Sequence, residues 1–506
     1  MSEHLSHFQG VGGVGLDAAT LEALLAEHEG VTLPKLARLW AYYRNPLEAP
    51  SRTPSSDSSR AWYRQAQEVG LPARIVGRPT SRDDDRRTGR REVVIENDIG
   101  WRIQTMVDFM FAKPVGILST AASATKRREI ERALDLIWES SGGIALLQDM
   151  ALLGHVYGHV DLVLRVDPRA KGRTVEEIAR EGLIRVEIVS PTRSIAILDP
   201  HDYRNILAYV ITYVREGAPD TSLAPATENL SPLRRWQPRR PLTSSPEAPR
   251  NLTRVVEIIS IARRQVYENA KLILDESPAL FGDQLPIVHA QNISQPFRYE
   301  GQGEVEALIP LQDELNTRLS DRACRVTLQS FKMYLAKGFD GLENAQVSPG
   351  TVWSTDNPDA TVQAFGGDAE TPGEERHIAE IREALDKVSA VPPVAGGVVQ
   401  AKIGNLTSAN ALRITLMGLL SKTARKRVTY GGAIARMSAL ILRAFDNCGT
   451  LATSEADRTV KLEWPDPLPE DEQAKVAAAE TKSRLGVPRE RLLAELGYAP
   501  TDPGVA

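Results

Sequence analysis

The stretch 311–445 constrains this chain more than any other. A long amphipathic run, 311–337, leads into a Gly/Pro/Asn-rich excursion, 338–373. A shorter charged helix follows at 374–390, then a small-residue loop at 391–409 and a second very long helical run at 410–445. At 1.5 Å per residue the two long helices would reach roughly 40 Å and 50 Å, where helices in compact domains average about three turns. Two such helices, broken by one exposed excursion and one Gly-rich loop, point to an extended architectural subunit rather than a catalytic pocket. Pro310 suits the first helical position of the earlier run. Leu311, Leu315, Leu319, Ala323, Val326, Phe331 and Leu335 give that run one apolar stripe. Gly431–Gly432 predict a kink in the later one.

Upstream, 17–45 reads as two short helices. Asp17 is the N-cap of the first, which is anchored by Leu21, Leu24 and Leu25. The second carries Leu36, Leu39, Trp40 and Tyr43, with Pro34 near its start. Residues 46–92 are rich in Pro, Ser and Arg without periodicity, which predicts a loop with little core of its own. Ile99, Ile103, Met106, Val107 and Met110 recur at helical spacing and predict a helix over 97–113, ended by Pro114. Helices are expected at 126–140 and 144–154. The period then switches to strands at 159–166, 184–189 and 206–214, with 255–261 and 265–274 extended neighbours. The Pro-rich stretch 216–251 has no pattern. Helices followed by clustered strands imply an α+β domain over 97–295. A strand at 459–464 and a helical pair at 470–485 and 489–496 close the chain.

Length, charge and absent motifs exclude several function classes. The chain has 506 residues, enough for two to four core-bearing units. Its net charge of −5 and pI near 6.0 argue against a tight, generic nucleic-acid binder. They allow a wall past which DNA slides. Cys324 and Cys448 stand in no CxxC or Cys/His cluster, so reduced thiols are expected, with neither a disulfide framework nor a metal site. No run of 18 apolar residues predicts a membrane span, and MSEHLSHFQG lacks the features of a signal peptide. No Gly-Lys dipeptide, HExxH or GxSxG occurs. No carboxylates pair in an acid/base setting. No enzyme activity, catalytic residue or cofactor is therefore expected, and any ATPase acting with this chain would be another polypeptide.

Other features have bland readings beside sharper ones. Gly10, Gly12 and Gly15 match GxGxxG, but the buried strand that a dinucleotide site needs before it is missing. His155 and His159 lie four apart, yet the segment is turning into a strand and no third ligand is near. Arg234, Arg235, Trp236, Arg239 and Arg240 form a basic loop cluster able to touch phosphates, or simply a solvated run or subunit contact. Arg413, Lys422, Arg425, Lys426, Arg427, Arg436 and Arg443 are the only charges on the last long helix before Asp446. They favour pairing with acidic groups on a neighbouring subunit, and otherwise face DNA. Helix 374–390 packs through Ile378, Ile381, Leu385 and Val388. It carries Glu374, Glu375, Glu380, Glu383 and Asp386, either as a paired surface or as a wall that repels phosphate.

The order of these parts resembles the portal proteins of tailed double-stranded DNA bacteriophages, in particular the siphophage type. NDIGWRIQTMVDFMFAKPVGI (97–117) resembles the family's early helix. LLQDMALLGHVYGHVDLVLRVD (146–167) and VEIVSPTRSIAILDPHDYRNILAYVITY (186–213) resemble its wing strands. LPIVHAQN (285–292) with GEVEALIPLQDELNTRLSD (303–321) resembles the approach to the first stem helix. LTSANALRITLMGLLSKTARKRVTYGGAI (406–434) resembles the start of the kinked helix, and GVPRERLLAELGY (486–498) the closing crown helix. No family part matches 216–251, and no long acidic tail follows the crown.

The resemblance implies an α+β, mainly helical subunit that assembles into a cyclic ring. Its wing spans 1–302, with loops at 46–92 and 216–251. The first stem helix is 303–337, the clip 338–373 with short strands at 347–353 and 361–365, and the second stem helix 374–390. The tunnel loop is 391–409, the long kinked helix 410–447, the wing return strand 448–466, and the crown and tail 467–506. Such rings usually hold twelve subunits at one capsid vertex of the virion, assemble in the host cytoplasm and pass double-stranded DNA in packaging, retention and ejection. The clip, with Val347, Trp353 and Phe365, would dock first the terminase large subunit and then the head–tail connector. Major capsid and scaffold proteins would surround the ring. Gln400, Lys402, Asn405 and Thr407 would face DNA from the tunnel loop, and Glu374, Glu375, Glu380 and Glu383 would line the stem. The alternative is a helical scaffold or adaptor without a DNA channel.

Overall fold

The computed structural model describes residues 16–48, 64–76, 92–216, 252–277, 284–330, 333–337, 357–365, 372–396, 409–468 and 472–496. It divides into two compact units. The larger comprises Met1–Ala37, Met106–Gly303 and Val399–Ala506, and the smaller Arg38–Thr105 and Glu304–Val398.

In the larger unit, β-branched and Leu-rich segments build two antiparallel sheets. One has the strand order Ile287–Gln291, His159–Val166, Ile184–Val189. The other runs Lys271–Glu276, Arg264–Glu268, Leu252–Ser260, Ile206–Glu216, Ser194–Leu198. Side-chain alternation along a strand decides what each face meets. Val210, Val256, Ile258 and Tyr267 pack with Leu21 and Leu25 of the helix Ala18–Glu27. Their neighbours Tyr209, Ile211 and Ile259 pack with Val163, Val189 and Ile287 of the smaller sheet. The main core forms on the long helix Met417–Asn447, whose Tyr430, Ala433, Ile434, Met437, Ile441 and Phe445 recur every three or four residues. They join Ile130, Leu134 and Ile137 of Ala124–Ser140, Met150 of Gly143–Tyr157, and Leu162. Each such buried aliphatic side chain contributes about 1.5–3 kcal/mol. Asp17 caps its helix by accepting from the Thr20 amide at 2.7 Å.

In the smaller unit the helices Val305–Ser330 and Pro372–Ser389 pack together. Leu315, Leu319, Ile378, Ile381 and Leu385 are buried, whereas Val388 is exposed. A polar seam runs beside the apolar one at Gln312, Asn316 and Ser320, four residues apart and all buried. Gln312 Nε2 donates to the Glu96 carbonyl at 2.6 Å, and its Oε1 accepts from the Ile99 amide at 3.2 Å. Asn316 Oδ1 accepts from the Glu96 amide at 3.1 Å and Ser320 Oγ from the Val94 amide at 3.0 Å. The extended chain ahead of the helix Asp98–Phe111 is thus hydrogen-bonded to side chains instead of a strand.

Several expectations need correction. The first long helix ends at Ser330, and Met333–Lys337 is a strand paired with Thr361–Phe365, Met333 opposite Phe365. Cross-strand pairing overrides helical spacing there. Pro310 lies inside the helix, where it removes one ladder hydrogen bond. The last long helix is interrupted at Leu416 (φ −90°, ψ 4°), not at Gly431–Gly432, and a short helix Ala409–Thr415 precedes it. Gly431 serves close approach instead: a Cβ there would stand 3.3 Å from Leu462 Cδ1. The stretch 46–92 is not coreless. It contains the paired Leu47–Glu48 and Arg64–Gln65, a turn of 3-10 helix at Ala66–Gly70 and the helix Ala73–Val76, and it buries Gln67, Leu71 and Ile75. The extended 265–274 is a hairpin whose turn residues Asn269 and Ala270 take positive φ of 44° and 67°. Strands Gly116–Ser119 and Val460–Glu463 pair with each other.

Candidate channel elements

The end of the helix Pro372–Ser389 is fixed by a buried arginine. Arg102 is only 2% exposed, and each of its guanidinium nitrogens donates a hydrogen bond. Nε meets Asp98 Oδ2 at 2.8 Å, and Nη2 meets Asp386 Oδ1 at 2.7 Å. Nη1 reaches Ser389 Oγ at 2.9 Å and the Val391 carbonyl at 2.6 Å. Burial pushes the Asp98 carboxyl up, against the pull of Arg102. A cation at a helix C-terminus also suits the helix dipole. Ala390 then turns the chain with φ 60°, the left-handed conformation that usually ends a helix. The chain therefore leaves the helix at a fixed point and continues into a turn of 3-10 helix at Pro393–Gly396. Arg102 shares the helix face of Ile99, Ile103 and Met106, and an arginine within an apolar stripe is the sequence signal that could have revealed it.

The four acidic residues of this helix have different environments. Glu374 is half-buried and pairs with Arg325 of the preceding helix. Glu380 is exposed and bridges to Arg376 at 3.1 Å. Glu375 and Glu383 are exposed and form no ion pair among the described residues. Arg382 pairs with Glu96 at 2.6 Å, and His377 meets Glu314 at 3.4 Å. Half of the expected acidic wall is thus neutralised by neighbouring cations. Phe365 ends the strand Thr361–Phe365 opposite Met333. Val347 and Trp353 lie outside the described residues, as do Gln400, Lys402, Asn405 and Thr407. So do the glycines 10, 12 and 15 and the basic cluster 234–240.

Several cations of the short helix Ala409–Thr415 and the long helix after it find partners within their own chain. Arg413 pairs with Asp466 and Arg443 with Glu455. Arg427 lies 5.0 Å from the Trp464 ring centre and donates to the Pro465 carbonyl at 3.0 Å. Burial lowers its proton affinity. Arg436 donates to the His289 carbonyl at 2.8 Å. Lys426 is buried against Met106. Partners on a neighbouring subunit are therefore not needed for these residues, whereas Arg425 is exposed. His155 sits on a helix and His159 on a strand, and no cluster of metal-ligating side chains occurs among the described residues. None of the described helices is long and apolar enough to cross a membrane.

Comparison with known proteins gives a family. The sequence model described as "Phage portal protein, SPP1 Gp6-like" matches residues 82–498. No curated protein matches the chain. Among solved structures, a chain of the virion of a native gene transfer agent particle is 13% identical with a TM-score of 0.44, covering 79% of this chain and 90% of that one. A chain from the neck of the empty particle, computed with C6 symmetry, is 12% identical with a TM-score of 0.42. One from the neck of the native particle, computed with C12 symmetry, is 14% identical with a TM-score of 0.41. Both cover the same shares, 79% of this chain and 90% of theirs.

Proposed function

Because this chain belongs to the SPP1 Gp6-like family of phage portal proteins, we propose that it forms the ring-shaped DNA channel at one capsid vertex. The family match over 82–498 carries this reading. The family is structural, and the chain's part is to build a passage while a separate motor supplies energy. Twelve copies, assembled in the host cytoplasm, would close into a ring through heterologous contacts, in which one patch of each subunit meets a different patch of the next.

The parts are assigned by position. Residues 1–302 are the wing, rejoined by 448–466. Helices Val305–Ser330 and Pro372–Ser389 are the stem. The clip takes in 338–373 with the hairpin of Met333–Lys337 and Thr361–Phe365, and Val347, Trp353 and Phe365 lie where the terminase and then the head–tail connector dock. Residues 391–409 are the tunnel loop, with Gln400, Lys402, Asn405 and Thr407 facing DNA. The crown is 467–506. Major capsid and scaffold proteins contact the ring from outside.

Glu375 and Glu383, unpaired among the described residues, line the stem wall. A carboxylate wall repels phosphate and lets DNA pass without condensing on it. Screening limits that repulsion to about 8 Å at physiological salt. Reversing both charges (Glu375→Lys with Glu383→Lys) tests this. Assembly is expected to persist while packaged DNA per particle falls and DNA retention by the isolated ring becomes salt-sensitive. Unchanged packaging with intact assembly would remove these residues from the channel wall.

A further inference from the structure

We propose that the buried cluster around Asp161 is an acid-released latch on the segment 292–303, with His159 as its trigger. Asp161 is fully buried on the strand His159–Val166, opposite His289 in register. Its carboxylate accepts three hydrogen bonds. The Tyr209 hydroxyl donates at 2.6 Å, the Tyr299 hydroxyl at 2.9 Å and His289 Nδ1 at 2.7 Å. His289 Nε2 donates to the Tyr299 carbonyl at 2.8 Å, and the two rings stack 3.8 Å apart. Both imidazole nitrogens thus face oxygen acceptors. Burial works to raise the Asp161 carboxyl, but the charge and hydrogen bond of His289 hold it below its usual range.

These contacts fasten a loop. Gln291 Nε2 donates to the Arg298 and Tyr299 carbonyls at 2.8 and 2.9 Å, and Asn292 Nδ2 to the Gln302 carbonyl at 3.0 Å. The loop between presents Phe297, 85% exposed and at φ 61°. From the long helix, Tyr430 donates to Asn292 Oδ1 at 3.2 Å.

His159 lies two residues before Asp161, on the same strand face. Its ring centre is 5.5 Å from those of both His289 and Tyr299, and its Nδ1 is buried with no hydrogen-bond partner. Four ionisable groups face it: Asp161, His289, Tyr299 and Glu300. Burial, then the His289 charge, oppose a proton there more than Asp161 and Glu300 favour it, and the His159 pKa is lowered from 6.5 to about 4. The latched state holds His159 neutral, whereas a released, hydrated His159 titrates normally. The latch is therefore complete above the ordinary histidine range. It weakens as pH falls toward 4, by up to tenfold per pH unit for one proton.

Hydrogen exchange of the full chain, corrected for intrinsic rates, tests this. Protection of 292–303 is expected to fall about 15-fold between pH 6.5 and 5.0, while that of the strand Leu252–Ser260 holds. His159→Gln flattens the response, and His289→Gln removes protection at every pH. A flat wild-type profile, or the wild-type slope retained in His159→Gln, overturns the proposal. If His159→Gln does not fold, the wild-type profile decides: a loss that begins only below pH 4 belongs to carboxylates and contradicts it. The test does not depend on the portal assignment.

Discussion

Arg102 and Asp386 meet at 2.7 Å beneath the last turn of the helix Pro372–Ser389, with the arginine buried and the carboxylate only partly so. The pair ties a helix of the proposed channel to the helix Asp98–Phe111 at the point where the proposed tunnel loop would begin. A buried guanidinium with every nitrogen bonded stabilises a geometry more than it adds net energy, because desolvation offsets much of the attraction. Its loss is nonetheless costly, since it strands Asp98, Asp386 and the Val391 carbonyl.

Arg102→Ala is therefore expected to destabilise the smaller unit by about 3–5 kcal/mol. Denaturant unfolding read by exchange in 305–389 would measure it. A cost below 1 kcal/mol would show that the clamp is not structural.

Ala390→Gly is expected to stabilise the same helix end by about 0.5–1 kcal/mol, because φ 60° is strained for a residue with a Cβ. Thermal unfolding of the variant beside the wild type checks the sign.

Gly154 faces the Tyr430 hydroxyl so closely that a Cβ would overlap it. Gly154→Ala should cost about 1–3 kcal/mol through overpacking. Tyr430→Phe removes the oxygen, so the double variant should recover part of that cost. A double-mutant cycle with no coupling would contradict the contact.

Asn316→Ala leaves the Glu96 amide and Gln67 Oε1 without the partners they now have at 3.1 and 3.0 Å. The expected cost is about 1–3 kcal/mol per stranded buried group. Faster exchange at the amide of Glu96 would localise it.

How much of this was legible in the sequence differs by element. Strand His159–Val166 could be read to the residue, because a Val/Leu run bounded by glycine has one reading. Asp17 showed itself as a cap by its position alone. The strand Met333–Lys337 could not be read, because MYLAK continues a helical pattern until its partner 361–365 is known. Ser194–Leu198 and Ile287–Gln291 are too short to show a period. The polar seam at Gln312, Asn316 and Ser320 hid beside the leucine stripe, since buried amides look like surface residues until their partners are found. Helix Val175–Glu181 left a readable sign in its capping box, Thr174 with Glu177. Of the expected site residues, the four glutamates could be placed on one helix from sequence, and Arg376 lies four residues before Glu380, but Arg325, the cation of Glu374, comes from a distant segment.

The ring itself is the most direct test. The purified protein, alone and with its scaffold protein, should give end-on electron-microscope views of closed rings with one rotational symmetry, usually twelvefold, and a hole that admits duplex DNA. Monomers or dimers that persist at high concentration and with scaffold present would contradict a channel and favour an adaptor without one.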